Sequence, residues 1–481
     1  MISRFLKDGA IYAVSGILTR GLSFFLLPFY TRILAPSDYG ALDMLLTFGA
    51  FIHLTVALEI SQGMARYYGE SRDDEDRTDY GSTSFWFTLF AYSIFLMAGL
   101  VFSDRLSYWV IGKQGLENVF RIGLFNLWIS GIFNIMQNQF RWSLRSRTYA
   151  VSSLIVAIIS ASASILLAYG MDWGLYGIVA GLLAGSFAGC CYALPLLRDS
   201  IRFRFEPLLL KKMLRFSLPL VPSGVAVFVA YYIDRLMIRH FLSLEDVGIY
   251  GIAFRIASVT SLVMIGFQMS LTPLIMSHYR EKETPANIAA IFRIFVSLSL
   301  VLFVGLSLFA QEILWLMTTP DYYGATIIVA FLAPAILLSN MYIFAPGTTI
   351  ANKTHFILYI NVAGAVLNVL LNLFMIPTFG IIGACLATLI NYACVFAAYI
   401  IFGQRLYHVP YDWPVLRRAT LLAVLCVVIG LQVHFGLFID ILVKAILLII
   451  TCGGLFFFRM ISIRELRPAR FMPIANTAEM P

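Results

Sequence analysis

Long apolar blocks, separated by short charged or turn-rich breaks, run along almost the whole chain. Each block is roughly 20 residues long, the length that about 30 Å of hydrocarbon requires when each helical residue adds about 1.5 Å. The pattern predicts an all-α integral membrane protein with about fourteen transmembrane helices, numbered here helix 1 to helix 14. They are expected at residues 10–34, 41–65, 82–103, 118–140, 149–170, 175–197, 216–241, 247–276, 288–310, 324–349, 355–376, 380–403, 417–436 and 439–459.

The positions of lysine and arginine predict the orientation of these helices. The break between helices 6 and 7 is strongly basic, and most other basic breaks lie on the same side of the predicted bundle. Because positively charged loops stay in the cytoplasm, both termini are expected there. Arg20 interrupts the first apolar block and no small-residue cleavage motif follows it. We therefore expect this block to remain as helix 1 and not to be removed as a signal peptide.

An internal repeat appears at an offset near 206 residues. The segment RSRTYAV, which begins at Arg145, matches ANKTHFI at Ala351. Near helix 1, LAPSDYG at Leu34 matches LSLEDVG at Leu242, at an offset of 208. Six helices per repeat predict two parallel six-helix lobes, related by a pseudo-twofold axis along the membrane normal, with substrate bound between them. The predicted units are an N-lobe at 1–206, a C-lobe at 207–412, and helices 13 and 14 with a cytoplasmic tail at 413–481.

Composition and charge narrow the class of function. Hydrophobic residues make up 60% of the chain and charged residues 12%, against about 25% charged in soluble domains, which excludes a water-soluble fold. The net charge of +8 is spread over short loops and forms no stripe that suits nucleic acid. No CxxC pair, nucleotide-binding motif or hydrolase motif is present. We expect no enzyme, no catalytic or metal-binding residues and no cofactor, and transport that uses a proton or sodium gradient, the lipid's own gradient or a partner protein.

Ionisable residues inside the apolar blocks are candidate functional groups, because burying them in hydrocarbon is costly. Arg20 lies about ten residues into helix 1, and Glu59 on helix 2 is expected at a similar depth. Asp234 on helix 7 and Arg255 on helix 8 form a second acid and base at matching depth. They are either structural ion pairs or include an arginine in an aqueous cavity that binds an anion. Other charges near helix ends are expected to anchor at the interface: Arg32, Asp43, Arg235, Arg239, Arg293 and Lys444.

Polar side chains recur at helical spacing on two predicted helices. They either bond to neighbouring helices or line a polar cavity. Gln62 and Gln268, which the 206-residue offset relates, are candidates for the same cavity, as are Asn134 and Asn340. His53 is expected to be a packed or hydrogen-bonded core residue. The two stripes are Asn126, Ser130, Asn134, Gln137 and Arg141 on helix 4, and Asn361, Asn368 and Asn372 on helix 11.

The end of helix 1, PFYTRILAPSDYGALDML, and its echo YYIDRLMIRHFLSLEDVGIYGIA in helices 7 and 8 resemble a known family. The chain is similar to the polysaccharide transport branch of the multidrug/oligosaccharidyl-lipid/polysaccharide exporter superfamily, the O-antigen and capsule repeat-unit flippases. The resemblance covers helices 1 to 12, and helices 13 and 14 match fourteen-helix members such as the lipid II flippase.

The resemblance implies a flippase that moves an undecaprenyl-pyrophosphate-linked oligosaccharide of O-antigen, capsule or exopolysaccharide across the inner membrane by alternating access. Helices 1, 2, 7 and 8 line the cavity in this family. Arg20 and Arg255 are then expected to contact pyrophosphate, Asn134 and Asn340 the sugars, and Glu59 or Asp234 a proton or sodium ion. Implied partners are the lipid-linked substrate, membrane lipids and polysaccharide polymerase or assembly proteins.

Three alternatives remain open at this point. A cation or drug antiporter of the same superfamily predicts an acidic cavity, whereas the buried arginines favour an anion. A lipid II flippase is the second, although helix 1 lacks a second arginine close after Arg20. A membrane glycosyltransferase, polymerase or ligase is the third, and it usually needs a large external loop, whereas the longest external break here runs only from Ser103 to Glu117.

Overall fold

The computed structural model describes residues 2–71, 73–351, 353–433 and 435–460. Over these residues the chain folds into helices joined by short loops, and this described part contains no β-strand. The prediction of an all-α protein is therefore confirmed.

We keep N-lobe and C-lobe as names for residues 1–206 and 207–412. The described residues of the N-lobe form nine α-helices. Predicted helix 1 appears as α1 (Ile2–Phe25) and α2 (Leu27–Ile33), which are separated at Leu26, two residues before Pro28. A π-helical turn, Leu166–Gly170, extends predicted helix 5. The other helices are α3 (Pro36–Thr55), α4 (Ile60–Glu70), α5 (Asp74–Val101), α6 (Ser103–Ile111), α7 (Glu117–Trp142), α8 (Ser146–Ile165) and α9 (Gly174–Leu196).

The remaining described residues form eleven α-helices. Predicted helix 8 is divided by a 3-10 turn, Ser258–Thr260, and predicted helices 11 and 12 join as one long element that bends at Gly380, whose φ is 62°. The helices are α10 (Pro207–Ser217), α11 (Leu220–Phe241), α12 (Leu244–Ala257), α13 (Ser261–His278), α14 (Thr284–Leu308), α15 (Ala310–Met317), α16 (Ala325–Ser339), α17 (Gly347–Ile350), α18 (Thr354–Leu406), α19 (Trp413–Leu431) and α20 (Leu437–Phe457).

Ten helices in the described ranges are long and apolar enough to cross a membrane, or eleven when the bent pair α3 and α4 counts as one span. The count differs from fourteen partly because α16 has only 15 residues and α18 unites two predicted helices. Predicted helix 1 is also split, into α1 and α2. Fourteen crossings therefore stay a prediction.

Helix 2 breaks at a point that its apolar pattern does not reveal. The axes of α3 and α4 differ by 44°, and Leu58 and Glu59 at the bend have φ of 50° and 53°. Left-handed backbone at residues other than glycine costs of order 1–3 kcal/mol each, so the surrounding structure must hold the bend in place. No proline lies in this stretch that would have predicted it.

The turns between the helices lie at two ends of the bundle, which we call the lock face and the linker face. The lock face carries the turns at residues 34–36, 102–117, 241–244 and 308–325, and the linker face carries the turns at 70–74, 142–146, 196–220 and 278–284. Three short helices that sequence reasoning missed lie at these ends: α6 and α15 at the lock face and α10 at the linker face. They fall in breaks that are too short or too charged to be recognised as membrane-crossing blocks.

Helices 2 and 8 cross at the lock face with their backbones in close approach. A Cβ atom on Gly40 would lie 1.9 Å from the carbonyl oxygen of Leu244, and one on Gly248 would lie 2.0 Å from that of Pro36. Only glycine fits at either position. Pro36 and Leu244, like Gly40 and Gly248, are 208 residues apart, which is the offset of the repeat in this region. Such reciprocal contacts are what a twofold axis between α3 and α12 would produce.

Candidate functional site

A buried ion pair joins the N-lobe to the C-lobe just inside the lock face. Nε of Arg235 on α11 donates to Oδ2 of Asp43 on α3 over 2.6 Å, and the side chains are 5% and 13% exposed. The guanidinium also lies 4.4 Å from the ring centroid of Phe254. The sequence predicted that both charges anchor at the membrane interface, and this prediction is wrong, because each is neutralised by the other within the protein.

Further hydrogen bonds link the two lobes around this pair. Together with it they form what we call the lock. They hold helix 1 and the break after helix 3 against the C-lobe, so the lobes are closed at this end. The bonds are Thr31 Oγ1 to Met317 O (3.0 Å), Tyr322 OH to Leu34 O (2.8 Å) and Arg239 Nη1 to Trp109 O (2.6 Å).

A cavity of about 580 Å³ lies between the lobes, and we call it the central cavity. It brings together two of the predicted substrate-binding residues, Arg255 and Asn340. Arg255 is half-buried, its guanidinium is 5.6 Å from the ring centroid of Tyr39, and in the described part of the chain it has no carboxylate partner. Among the described residues no carboxylate neutralises this guanidinium, so the cavity presents its positive charge to a ligand. Its walls also include Gly21, Phe24, Tyr231, Tyr232, Ser258 and Ser261.

Arg20 belongs to α1, and its neighbour Gly21 lines the central cavity. The side chain of Arg20 lies outside the described residues, so its predicted contact with Glu59 stays a prediction. Gln62 is exposed and Gln268 half-buried, and neither lines the central cavity. The structure thus places one of the two predicted arginines and one of the four predicted amides at this cavity.

Asp234 forms no ion pair with Arg255, which was one of the two alternatives that the sequence left open, because its side chain points into the C-lobe. Its carboxylate is 1% exposed and accepts hydrogen bonds from Tyr250 OH, Thr388 Oγ1 and Asn372 Nδ2, each at 2.8 Å. The Oδ1 atom of Asn372 is buried and has no hydrogen-bond partner among the residues that the structure describes. We call these four residues the C-site. Sequence reasoning missed Tyr250 and Thr388, since hydroxyls on apolar helices are common and only the fold brings them to Asp234.

The helix 11 stripe serves this interior. Asn372 also donates to Asn368, which in turn donates to the carbonyl of Ala230 over 3.2 Å. Asn361, further along, accepts from Tyr399 OH at 3.1 Å. Its members therefore bond to neighbouring helices of the C-lobe, which was one of the two alternatives that the spacing allowed.

A second polar cavity, of about 280 Å³, lies within the N-lobe at the bend of helix 2. We call it the N-pocket, and its walls include His53, Glu59, Tyr92, Asn134 and Asn138. His53 is hydrogen-bonded on both ring nitrogens, by Tyr92 OH at 2.9 Å and Ser130 Oγ at 3.2 Å, which confirms the prediction of a hydrogen-bonded core histidine. Glu59 has no ion-pair partner among the described residues. Glu59 and Asn134 thus line the same pocket.

The helix 4 stripe divides between the two alternatives. Asn126 accepts from Ser186 Oγ at 3.0 Å and Gln137 donates to Ser153 Oγ at 2.7 Å, so these two amides bond to neighbouring helices. Asn134 is exposed to the N-pocket, and its hydrogen bond within the described part of the chain is the one from Asn138, one turn away, over 2.7 Å. Asn134 is thus the member of the stripe that lines the N-pocket.

The chain is similar in sequence to two protein families and to several known proteins. A family model described as "Polysaccharide biosynthesis protein" matches residues 29–267, and a second, described as "MatE", matches residues 219–374. The succinoglycan biosynthesis transport protein ExoT of Rhizobium meliloti is 27% identical over 56% of this chain and 53% of its own length. The probable low-salt glycan biosynthesis flippase Agl15 of Haloferax volcanii is 23% identical over 79% of each chain. The match thus spans about half of the first relative and most of the second.

Solved structures share the fold. The lipid II flippase MurJ in an inward closed conformation superposes with a TM-score of 0.69 and 16% identity, over 94% of this chain and 99% of that one. A multidrug resistance MATE family transporter in an inward-facing conformation gives a TM-score of 0.66 and 16% identity, over 80% and 94% of the two chains. At this level of identity the similarity establishes the fold alone, which is that of a multi-pass, all-α membrane protein.

Proposed function

We propose that this chain is a member of the polysaccharide transport branch of the multidrug/oligosaccharidyl-lipid/polysaccharide exporter superfamily and a flippase for a lipid-linked oligosaccharide. Its matches to the two family models and to the two relatives support this proposal. The substrate is an undecaprenyl-pyrophosphate-linked repeat unit of a surface or secreted polysaccharide, and it crosses the bacterial inner membrane by alternating access. The names of the two relatives support this substrate class, and a polymerase or other assembly protein would receive the product.

The observation that carries the proposal is Arg255 in the central cavity without a carboxylate partner in the described chain. A guanidinium presents a fork of N–H donors that matches phosphate oxygens, and it keeps its charge at any physiological pH. A free cation in the cavity repels a cationic drug, so the anionic lipid is favoured over the substrate of a drug antiporter. Asn340, on the same wall, supplies amide groups to the head group. Arg20, on the helix that carries Gly21, is the second arginine proposed to bind pyrophosphate.

Alternating access would proceed by rocking of the N-lobe against the C-lobe. By the distribution of basic residues the lock face is periplasmic and the linker face cytoplasmic, with both termini in the cytoplasm. The lock then closes the periplasmic end, and the lobes are in the state that receives substrate from the cytoplasmic leaflet. Release to the periplasm requires the Asp43–Arg235 pair to separate and the crossing of α3 and α12 at Gly40 and Gly248 to open.

The C-site is the better formed of the two proposed ion-coupling sites. Asp234 and the free Oδ1 of Asn372 are oxygen ligands, the type that hard cations prefer, and a carboxylate buried in a membrane protein is a common proton carrier. A sodium ion or a proton there would neutralise Asp234. Arg235, the next residue, belongs to the lock, so occupation of the C-site acts on the same turn of α11 that holds the lobes together. Glu59 is the alternative coupling residue.

The function is tested in a strain that lacks the gene. We expect lipid-linked oligosaccharide to accumulate in the cytoplasmic leaflet, and wild-type protein but not the Arg255→Ala variant to restore its export at matched protein levels. Arg198→Ala, at the exposed linker face, is the control that restores export. If the deletion strain exports its polysaccharide normally and instead becomes sensitive to cationic drugs, the protein is a drug antiporter and the proposal is wrong.

A further inference from the structure

The bend of helix 2 opens backbone and side-chain polar groups to the N-pocket. In a membrane protein, a break in a spanning helix is tolerated where protein covers it or where it lines an aqueous cavity, and discontinuous helices are a frequent way to build substrate sites in transporters. Glu59 lies at this break, has a left-handed backbone conformation and lines the N-pocket. The strained conformation thus accompanies a polar cavity and not a close-packed interior.

The polar groups of the N-pocket are arranged as donors and acceptors for neutral hydroxyls. Asn138 Nδ2 donates to Asn134 Oδ1, which leaves Nδ2 of Asn134 and Oδ1 of Asn138 without a hydrogen bond to the described chain. The carboxylate of Glu59 is a further acceptor. His53 is held on both nitrogens by Tyr92 and Ser130, so it forms a fixed wall and not a free base.

Size and charge limit what this pocket can hold. Its volume of about 280 Å³ is room for on the order of ten waters at about 30 Å³ each, far more than a bare ion needs, and it lies near the lower end of the roughly 300–1,000 Å³ of small-molecule sites. The residues that line it include no lysine or arginine, so it does not suit phosphate. One or two neutral sugar rings match both its volume and its mixture of carboxylate, amide and aromatic groups.

The N-pocket borders the C-lobe and lies at a different level of the helix bundle from Arg255. Leu54, on its wall, packs against Gly224 of α11, so the pocket borders the C-lobe. Glu59 is 23 residues along helix 2 from Pro36 at the lock face, or roughly 35 Å of helix, whereas Arg255 is 11 residues from Leu244, or roughly 17 Å. The pocket is thus nearer the linker face than Arg255 is.

Resting on the proposed function, we propose that the N-pocket binds sugar residues of the oligosaccharide, through Glu59, Asn134 and Asn138, while Arg255 binds the pyrophosphate. The glycan is then recognised by the N-lobe, whereas the pyrophosphate is bound by Arg255 of the C-lobe together with Arg20 of the N-lobe. A substrate that carries both parts therefore contacts both lobes, which must move relative to each other during transport.

The test compares two lipids on the purified full-length protein in detergent: undecaprenyl pyrophosphate, and undecaprenyl pyrophosphate carrying the repeat unit extracted from the host strain. Native mass spectrometry gives the ratio of the two dissociation constants. Wild-type protein is expected to prefer the glycan-bearing lipid, and Asn134→Ala or Glu59→Gln to reduce that preference by roughly tenfold with binding of the glycan-free lipid unchanged, which also shows that the variants are folded. Asn126→Ala is the matched control on the same helix and keeps the wild-type ratio, while Arg255→Ala weakens both lipids.

Two results would overturn the assignment in different ways. If both N-pocket variants keep the wild-type ratio while the lipids bind, the sugar site is elsewhere and the flippase proposal stands. The same holds if Glu59→Gln changes only the response to sodium or pH. If wild-type protein binds neither lipid, the proposed function fails and the sugar site fails with it.

Discussion

Asp43 and Arg235 lie 192 residues apart in the chain, yet Arg235 Nε and Asp43 Oδ2 are 2.6 Å apart in a nearly dry interface between the lobes. A buried pair is a poor source of net stability but a strong constraint, because either partner left alone is an uncompensated charge. The Asp43–Arg235 pair is therefore suited to hold the conformation in which the lobes are in contact at the lock face. It separates only when both side chains become hydrated.

Removing one partner of the pair is expected to weaken the closed state. Asp43→Ala leaves Arg235 buried without a carboxylate, at a cost of about 3–5 kcal/mol. The thermal unfolding temperature in detergent should fall clearly. In an otherwise cysteine-free background, a cysteine in place of the buried Val247 on α12 should react faster with a membrane-impermeant thiol reagent when Asp43 is alanine than when Asp43 is intact.

The matched control is the exposed pair Lys113–Asp38, at 2.9 Å on the same face. Lys113→Ala should change stability by less than about 1 kcal/mol, because solvent screens exposed pairs. Equal effects of Asp43→Ala and Lys113→Ala on the unfolding temperature would show that burial does not make the loss of a partner in the Asp43–Arg235 pair more destabilising.

The glycine crossing makes an independent prediction about the same end of the molecule. Gly248→Ala would bring a methyl group to 2.0 Å from the carbonyl oxygen of Pro36, so α3 and α12 must move apart. We expect poorer closure of the lock face and slower transport. Gly305→Ala, where nothing lies within 4 Å of the added Cβ, should transport at the wild-type rate; a fully active Gly248→Ala would mean that the crossing opens freely.

Asp234→Asn tests the C-site. The amide keeps an acceptor for Tyr250 or Thr388 but removes the charge that would attract a cation. Transport in reconstituted vesicles should lose its dependence on an imposed sodium or proton gradient. Asn361→Ala, on the same helical stripe as Asn372 but bonded to Tyr399, should keep that dependence, and an unaltered gradient response in Asp234→Asn would move the coupling site away from the C-lobe.

Arg255→Lys separates charge from geometry at the proposed anion site. Lysine keeps the positive charge and loses the planar fork that binds two phosphate oxygens together. Binding of undecaprenyl pyrophosphate should therefore weaken by roughly tenfold, less than in Arg255→Ala. If lysine and alanine behave alike, the side chain acts by shape or packing and not as a phosphate ligand.

Counting residues predicts how far along a helix a side chain lies, but it does not predict the direction in which that side chain points. Counting residues from the ends of helices placed Asp234 and Arg255 at matching depth, but consecutive side chains on a helix point about 100° apart. Asp234 therefore faces the C-lobe interior, while Arg235, at nearly the same depth, faces Asp43. Only the packing of the helices decides which of these residues meets which partner.

The residues that line the candidate cavities, too, could be predicted only in part from the sequence. The spacing of polar residues on helix 4 correctly marked a polar stripe, but only Asn134 of it reaches a cavity with Glu59, because the break at Leu58 and Glu59 opens the N-pocket there. That break has no proline or glycine at the residues that adopt it. The all-α class and the apolar helices followed from block length alone, since hydrocarbon thickness sets it.

The most direct test of the central claim is flipping by the purified protein in vesicles. Undecaprenyl pyrophosphate carrying the host strain's labelled repeat unit is placed in the vesicle membrane, and an impermeant glycan-modifying reagent reports how much crosses with time. We predict crossing with wild-type protein and, at equal protein content, loss to the level of protein-free vesicles with Arg255→Ala. Equal rates in wild-type and protein-free vesicles, or in wild-type and Arg255→Ala vesicles, would contradict the account.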